Sequence, residues 1–120
     1  MSGPLAGVVV LDFTQLLQGP YATQMLGDMG AEILKIEPPV GDWMRKFALG
    51  NLYLAGESVS FLAFNRNKRS VCIDLKQREG VEAIKRLAAK ADVVIENFRP
   101  GVMDRLGIGN DTLRAINPRL

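Results

Sequence analysis

The sequence contains no histidine and only one cysteine, Cys72, in 120 residues. Without histidine it lacks the commonest general base, and a lone thiol provides no zinc or transition-metal cluster, so we predict no metal site. One cysteine also forms no disulfide within the chain, which fits a reducing compartment. Because Cys72 falls within a predicted strand, we expect a buried structural thiol rather than a reactive one.

Long hydrophobic runs are missing as well. Runs such as residues 8–11 are far shorter than the ~20 apolar residues that cross a bilayer. Residues 1–6 contain no basic segment followed by an apolar one. We therefore predict no membrane partner and a cytoplasmic protein, with an organellar location left open. A hydrophobic fraction of 48% with 23% charged residues is ordinary for a globular protein, and 120 residues form at most one domain.

The formal net charge of +2 is distributed unevenly along the chain. Residues 1–65 contain three Lys/Arg against six Asp/Glu, residues 66–90 eight against three, and residues 91–120 four of each. The middle segment should therefore attract an anion. It has no aromatic-interleaved basic stripe, Cys/His finger or RNP-like motif, so we predict no nucleic-acid partner. A phosphorylated small molecule is the favoured ligand, and a solvated basic helix face is the alternative.

Hydrophobic periodicity predicts alternating strands and helices along the chain. Strands are predicted over residues 8–13, 31–36, 70–75 and 92–96. Helices are predicted over residues 20–29, 59–65, 80–89, 101–105 and 110–117, the last one capped by Asn110 or Asp111. Residues 40–58 form an irregular, glycine-rich excursion. Alternation of this kind specifies an α/β fold with a Rossmann-like parallel sheet, flanking helices and right-handed crossovers, incomplete within these residues.

Two of the predicted helices have an apolar stripe that should face the sheet. The first stripe consists of Tyr21, Ala22, Met25, Leu26 and Met29, and the second of Val81, Ile84, Leu87 and Ala88. We place Pro20 at the first position of the first helix, which Gly30 should end. Residues 118–120 resemble the approach to a further strand, which would leave a sheet edge uncovered and the isolated segment poorly soluble.

The turn after the first strand argues against a nicotinamide cofactor. It reads DFTQLLQGPY, with one glycine where a dinucleotide fingerprint requires G-x-G-x-x-G, although Glu37 ends the second strand where a ribose-binding acid would lie. Carboxylates at strand ends, where a nucleophilic aspartate could attack a thioester, are Asp12, Glu37, Asp74 and Glu96. We nominate none of them as catalytic.

Four segments together resemble one known family. They read PLAGVVVLDF, GAEILKIEPP, FNRNKRSVCIDL and ADVVIENFRPG, and with them the chain resembles the family III CoA-transferases, the formyl-CoA and carnitine-CoA transferase group, almost from end to end. The resemblance implies coenzyme A, acyl-CoA and carboxylic acid substrates, an interlocked homodimer, and transfer through an aspartyl anhydride and thioester. It also implies that residues 1–120 are the N-terminal CoA-binding portion, with the nucleophilic aspartate beyond Leu120.

The resemblance assigns nine residues to CoA binding: Gln18, Ile73, Asp74, Leu75, Lys76, Asn97, Phe98, Arg99 and Arg105. It places the adenine and the 3′-phosphorylated ribose at residues 73–76, and the diphosphate near Arg99 and Arg105. It implies a mainly structural role for the NRNKRS segment, residues 65–70. Formyl-CoA transferases have glutamine at the position of Leu17, which argues against formyl-CoA as substrate, while Gln18 provides a comparable amide.

Two other functions stay open at this point. The α-methylacyl-CoA racemase branch shares the fold and CoA site but transfers a proton through a histidine and an aspartate, which would lie downstream. A non-catalytic CoA-binding or subunit-interaction module would need no nucleophile at all. The NRNKRS and ENFRPG segments are closer to the transferases than to the racemases.

Overall fold

A computed structural model describes residues 2–120. In chain order its elements are β1 (Val9–Asp12), α1 (Gln18–Asp28), β2 (Glu32–Glu37), α2 (Trp43–Lys46), β3 (Tyr53–Leu54), β4 (Glu57–Ser58), α3 (Val59–Phe64), β5 (Lys68–Cys72), α4 (Arg78–Ala88), β6 (Val93–Ile95), α5 (Val102–Arg105) and α6 (Asn110–Ile116). The antiparallel hairpin of β3 and β4 lies within the excursion that was predicted to be irregular. The other four strands form one sheet.

The order of strands in that sheet is β5-β2-β1-β6, and each neighbouring pair is parallel. Counted along the chain, this is third, second, first, fourth, the order of half a doubly wound nucleotide-binding sheet. Val10 in β1 lies beside Ile33 in β2 and Val93 in β6. The predicted parallel Rossmann-like sheet is confirmed.

Each face of the sheet has its own apolar core, since neighbouring residues of a strand point to opposite faces. Val10 packs with Ala31 and Ile33 on one face. On the other, Leu11 joins a larger cluster that includes Ile84 of α4. The predicted stripe of α4 is confirmed, because Ile84 and Ala88 are buried and the other two members pack against the same cluster.

The predicted stripe of α1 is wrong. Tyr21, Met25 and Met29 are 49%, 44% and 40% exposed, Ala22 is only half-buried, and of the five predicted residues Leu26 alone packs against the core cluster of the sheet. The buried residues of this helix are Pro20, Thr23, Gln24 and Gly27. Small and polar residues face the sheet for two reasons. A Cβ on Gly27 would already lie 3.2 Å from Ile33 Cγ1, and Thr23 donates a 2.6 Å hydrogen bond to the buried Asp12.

The predicted helix boundaries also need two corrections. The helix α1 begins at Gln18, so Pro20 is its third residue, where a missing N–H is still harmless because the first four amides have no partner in the helix. Gly30, with φ of 101°, follows the end of α1 as predicted. Neither Asn110 nor Asp111 caps α6, because Gly109 occupies that position.

The third strand of the sheet lies earlier than predicted. β5 covers Lys68–Cys72, so residues 73–75, expected in the strand, follow its end. Cys72 is exposed, which contradicts the expected buried thiol. Its strand is at the edge of the sheet, with no partner on its outer side among residues 2–120, and this edge position explains the exposure.

The opposite edge of the sheet, β6, also has no outer partner among the described residues. A groove of about 340 Å³ runs beside it, lined in part by Val94, Met103, Leu113 and Leu120. Sheet edges are thus uncovered within this segment, as predicted. None of the helices described in residues 2–120 has the length and apolar character needed to cross a membrane.

Candidate functional site

A cleft of about 270 Å³ opens at the carboxyl edge of the sheet, where ligands bind in open α/β folds. Its apolar walls come from residues at the ends of the sheet strands and from α5: Phe13, Ile36, Ile73, Leu75, Phe98, Val102 and Leu106. Gln15, Asp74 and Lys76 add polar groups. The chain reverses direction across the sheet between β1 and β6, so this cleft lies at the topological switch point.

Five of the nine predicted site residues line this cleft, namely Ile73, Asp74, Leu75, Lys76 and Phe98. The loop of residues 73–76 has a defined shape, because Asp74 accepts hydrogen bonds from Lys76 N (3.0 Å) and Gln77 N (3.2 Å). Gly80 contributes to this shape, since a Cβ there would overlap the Asp74 carbonyl oxygen. The loop therefore presents Ile73 and Leu75 beside a lysine.

The other four predicted residues are not among the residues that line the cleft. Asn97 lies beside it and uses its side chain within the protein, since Oδ1 accepts from Gln15 N (3.1 Å) and Nδ2 donates to Gln15 O (2.9 Å). Gln18 is exposed at the start of α1. Arg99 and Arg105 are exposed in the segment between β6 and α6.

The cations of the predicted site have no carboxylate partner, whereas six of the other twelve Lys and Arg residues form ion pairs within residues 2–120. Within residues 2–120, Lys76, Arg99 and Arg105 form no ion pair, and all three are exposed. Arg105 belongs to α5, whose Val102 and Leu106 line the cleft. Exposed guanidinium and ammonium groups without carboxylate partners are suited to phosphate oxygens.

A buried ion pair joins β1 to β5 behind the cleft. Lys68 Nζ lies 3.0 Å from Asp12 Oδ2, and both side chains are almost wholly buried. Lys68 also donates to Pro20 O and to Asn65 Oδ1, while Asp12 accepts from Thr14 and Thr23. Burial lowers the pKa of Lys68, and the charge of Asp12 acts in the opposite direction.

A second pair is buried at the end of β2. Lys35 Nζ lies 2.8 Å from Asp42 Oδ2, and neither side chain is more than 1% exposed. Asp42 caps α2 by accepting from Met44 N at 2.9 Å. The burial of Lys35 was not predicted from the sequence, because a lysine within an apolar strand is expected to point to solvent.

Glu37 forms the third pair at this edge. Arg45 holds its carboxylate through two 2.7 Å hydrogen bonds, and Asp42 N and Ser70 Oγ donate to it at 2.9 and 2.7 Å. Arg45 also stacks on Phe61, 4.0 Å from the ring centre. Burial alone would raise the pKa of Glu37, but these hydrogen bonds outweigh it and hold the pKa at about 2.

All four strand-end carboxylates, including Asp74 described above, and much of the NRNKRS segment have contacts within the protein. Asp12 and Glu37 are buried in ion pairs, and Glu96 accepts from Phe98 N at 2.7 Å. In the NRNKRS segment, Arg66 and Asn67 both bind Asp28. Within residues 2–120, no group of three or more His, Cys, Asp or Glu side chains has the spacing to hold a metal ion.

Comparison with known proteins links this arrangement to one family. Residues 5–120 match the model of CoA-transferase family III. The beta subunit of succinyl-CoA–L-malate CoA-transferase from Chloroflexus aurantiacus is 43% identical over 98% of this chain and 29% of its own length. Human succinyl-CoA:glutarate CoA-transferase is 43% identical over 98% of this chain and 26% of its own length. A crystal structure of a CaiB/BaiF family protein from Brucella suis matches with a TM-score of 0.92 and 41% identity, over 100% of this chain and 32% of that one. The chain therefore spans less than a third of the length of these relatives.

Proposed function

This chain belongs to CoA-transferase family III, and on that premise we propose that the protein containing it moves CoA between two carboxylic acids. In this proposal residues 1–120 supply the nucleotide-binding part of the CoA site. The observation that carries it is the cleft at the switch point of the sheet, which brings residues 73–76 and Phe98 together. Two of the relatives are named for transfer of CoA from succinyl-CoA to malate or glutarate, and this supports a thioester donor and a carboxylate acceptor.

The chemistry of the cleft suggests how CoA is oriented. We propose that the adenine lies in the apolar part, against Phe98 and Leu75, since aromatic and aliphatic faces both pack well on a flat ring. Lys76 at its rim binds the 3′-phosphate. Arg99 and Arg105, which lack ion-pair partners in residues 2–120, bind the diphosphate. The pantetheine arm then runs toward the β1–α1 turn and Gln18.

The reaction itself needs a nucleophile from elsewhere in the protein. In the proposed reaction an aspartate carboxylate attacks the thioester carbonyl and expels CoA thiolate, which leaves a mixed anhydride. The thiolate then attacks the aspartyl carbonyl of the anhydride, releases the donor acid and forms an aspartyl-CoA thioester. The acceptor carboxylate attacks that thioester in the same way, and the expelled thiolate attacks the acceptor's carbonyl in the second anhydride, which gives the new acyl-CoA and regenerates the aspartate. Asp12 and Glu37 are buried in ion pairs and do not suit this role. We propose that the aspartate lies outside residues 1–120, and that the complete protein forms an interlocked homodimer.

The activity is tested with the complete polypeptide, an acyl-CoA donor and a free carboxylic acid. We expect the CoA moiety to move to the acid, detected by chromatography and mass spectrometry of the thioesters. If the same assay in D₂O shows deuterium at the α carbon of a branched acyl-CoA and no movement of CoA to the acid, the protein has racemase chemistry instead. CoA binding with neither reaction would show a binding module.

The assignment of the site is tested by calorimetry with CoA on the same polypeptide. Lys76→Ala and Arg105→Ala should weaken CoA binding, each by about tenfold for one charged contact. Matched controls are Lys90→Ala, just after α4, and Arg114→Ala in α6, which remove the same charges from exposed positions away from the cleft. Unchanged affinity in both test variants would contradict the proposed site.

A further inference from the structure

The turn between β1 and α1, residues 13–17, forms a wall of the cleft, because Phe13 and Gln15 both line it. Its central backbone is held by side chains rather than by other backbone groups. Thr14 N donates to Asp12 Oδ1 at 2.9 Å, and both backbone groups of Gln15 bind the side chain of Asn97 at 3.1 and 2.9 Å. Asn97 therefore fixes the turn on the side nearest β6.

The opposite side of the same turn rests on the buried Lys35–Asp42 pair. Lys35 Nζ donates to Thr14 O at 2.8 Å, and Asp42 Oδ1 accepts a longer 3.4 Å contact from Leu16 N. Leu16 has φ of 70°, a conformation that costs a branched residue free energy and persists only when its surroundings impose it. The pair is thus positioned to impose the strained turn.

We propose that Lys35 and Asp42 are positioning residues of the cofactor site, which hold the β1–α1 turn in the shape that CoA binding requires. This inference rests on the proposed function for the identity of the ligand. Neither residue lines the cleft, and both contact the turn through backbone atoms of Thr14 and Leu16. A neutral pair of similar size would fill the same volume but would leave the Thr14 carbonyl without its charged donor.

Asp42 also connects the turn to a second segment. Its Oδ1 caps α2 and its backbone N–H donates to Glu37 Oε2 at 2.9 Å, so the same residue fixes the start of α2. Asn is as good a cap as Asp, so Asp42→Asn keeps the acceptor for Met44 N and removes only the charge. This substitution therefore separates the ion pair from the cap.

The test compares the double variant Lys35→Met/Asp42→Asn with wild type in the complete polypeptide. A single substitution would leave one charge buried without a partner and could unfold the protein, whereas replacing both charges with neutral groups is commonly tolerated. The matched control is Lys85→Met/Glu82→Gln, which makes the same chemical change in an ion pair on the surface of α4. Both proteins are compared by hydrogen exchange and by calorimetry with CoA.

We expect amide exchange in a peptide covering residues 13–18 to be at least about tenfold faster in the double variant, with residues 78–88 of α4 unchanged. We expect CoA to bind about tenfold more weakly or worse, and the control to resemble wild type in both measurements. The inference is wrong if a folded double variant exchanges its turn amides at the rate of wild type, or if it binds CoA as tightly as wild type does.

Failure of the inference is distinguishable from failure of the proposed function. If wild-type protein binds no CoA, the proposed function fails and the ligand part of the inference fails with it. The exchange rate of residues 13–18 still decides whether the ion pair holds the turn. If wild type binds CoA and the turn of the double variant exchanges normally, only the positioning role is refuted.

Discussion

Replacing Glu37 with glutamine should destabilise the protein by an amount that depends strongly on pH. In wild type four hydrogen bonds reach the Glu37 carboxylate, from Arg45 (two), Asp42 N and Ser70 Oγ. The pKa is thereby lowered from 4.5 to about 2, which corresponds to about 3 kcal/mol of stability at pH 7. Glutamine has about the same size, but one of the two accepting oxygens is replaced by an NH₂ group that faces other donors. The stabilisation by the carboxylate is therefore lost.

The sign of the pH dependence follows from the lowered pKa. The stabilisation by Glu37 is complete above pH 4.5, the pKa of the unfolded chain, and declines as the pH falls toward the folded value of about 2. At pH 3 the remaining contribution is about 1.4 kcal/mol by the same linkage relation. The difference between wild type and Glu37→Gln should therefore shrink by roughly half between pH 7 and pH 3.

The assay is urea denaturation of the complete polypeptide at several pH values, for wild type, Glu37→Gln and a control. Glu79→Gln is the matched control, because Glu79 is exposed in the first turn of α4 and forms no ion pair within residues 2–120. We expect the control to change stability by less than about 0.5 kcal/mol at any of these pH values. If Glu37→Gln lowers the free energy of unfolding by the same amount at pH 7 and pH 3, the electrostatic explanation is refuted.

Three further predictions concern single positions. Lys68→Met should reduce the free energy of unfolding by about 3–5 kcal/mol, because Asp12 would stay buried without its partner. Adding Asp12→Asn should recover most of the loss, and a single variant as stable as wild type in urea would contradict this. Gly80→Ala should weaken CoA binding in calorimetry, since its Cβ would overlap the Asp74 carbonyl oxygen and displace the cleft loop; unchanged affinity would show that the loop shape is irrelevant. Trp43→Ser should alter stability by less than about 0.5 kcal/mol, because Trp43 is 70% exposed; a larger loss in denaturation would contradict that.

The sheet could be predicted from the sequence because its strands are short apolar runs that alternate with helical patterns. Such runs specify a parallel sheet with little ambiguity, and Val10 and Ile33 behave as expected. The face of α1 could not be predicted in this way. Periodicity predicted that the apolar stripe faces the sheet, but that side is occupied mainly by Thr23 and Gly27, since Asp12 needs a donor and the helix lies close to β2.

Five of the nine residues that the resemblance assigned to CoA binding lie together in the folded chain. Residues 73–76 and Phe98 line the cleft, and their contact with CoA stays a prediction. The role of Asn97 within the fold was not foreseen, because its contacts with Gln15 join residues 82 positions apart. The pairing of Lys35 with Asp42 was not foreseen for a related reason, since only the folded structure shows that both side chains are buried.

The charge pattern of the chain has a structural meaning that counting alone did not give. The basic segment of residues 66–90 was interpreted as attracting an anionic ligand, yet three of its cations pair with carboxylates of the acidic first 65 residues: Arg66 with Asp28, Lys68 with Asp12 and Arg69 with Glu32. Their charges are neutralised within the protein. Lys76 differs from these three, because it lines the cleft and forms no ion pair in residues 2–120. The position of a cation relative to the sheet, and not the net charge of its segment, therefore decides whether it is available to a phosphate.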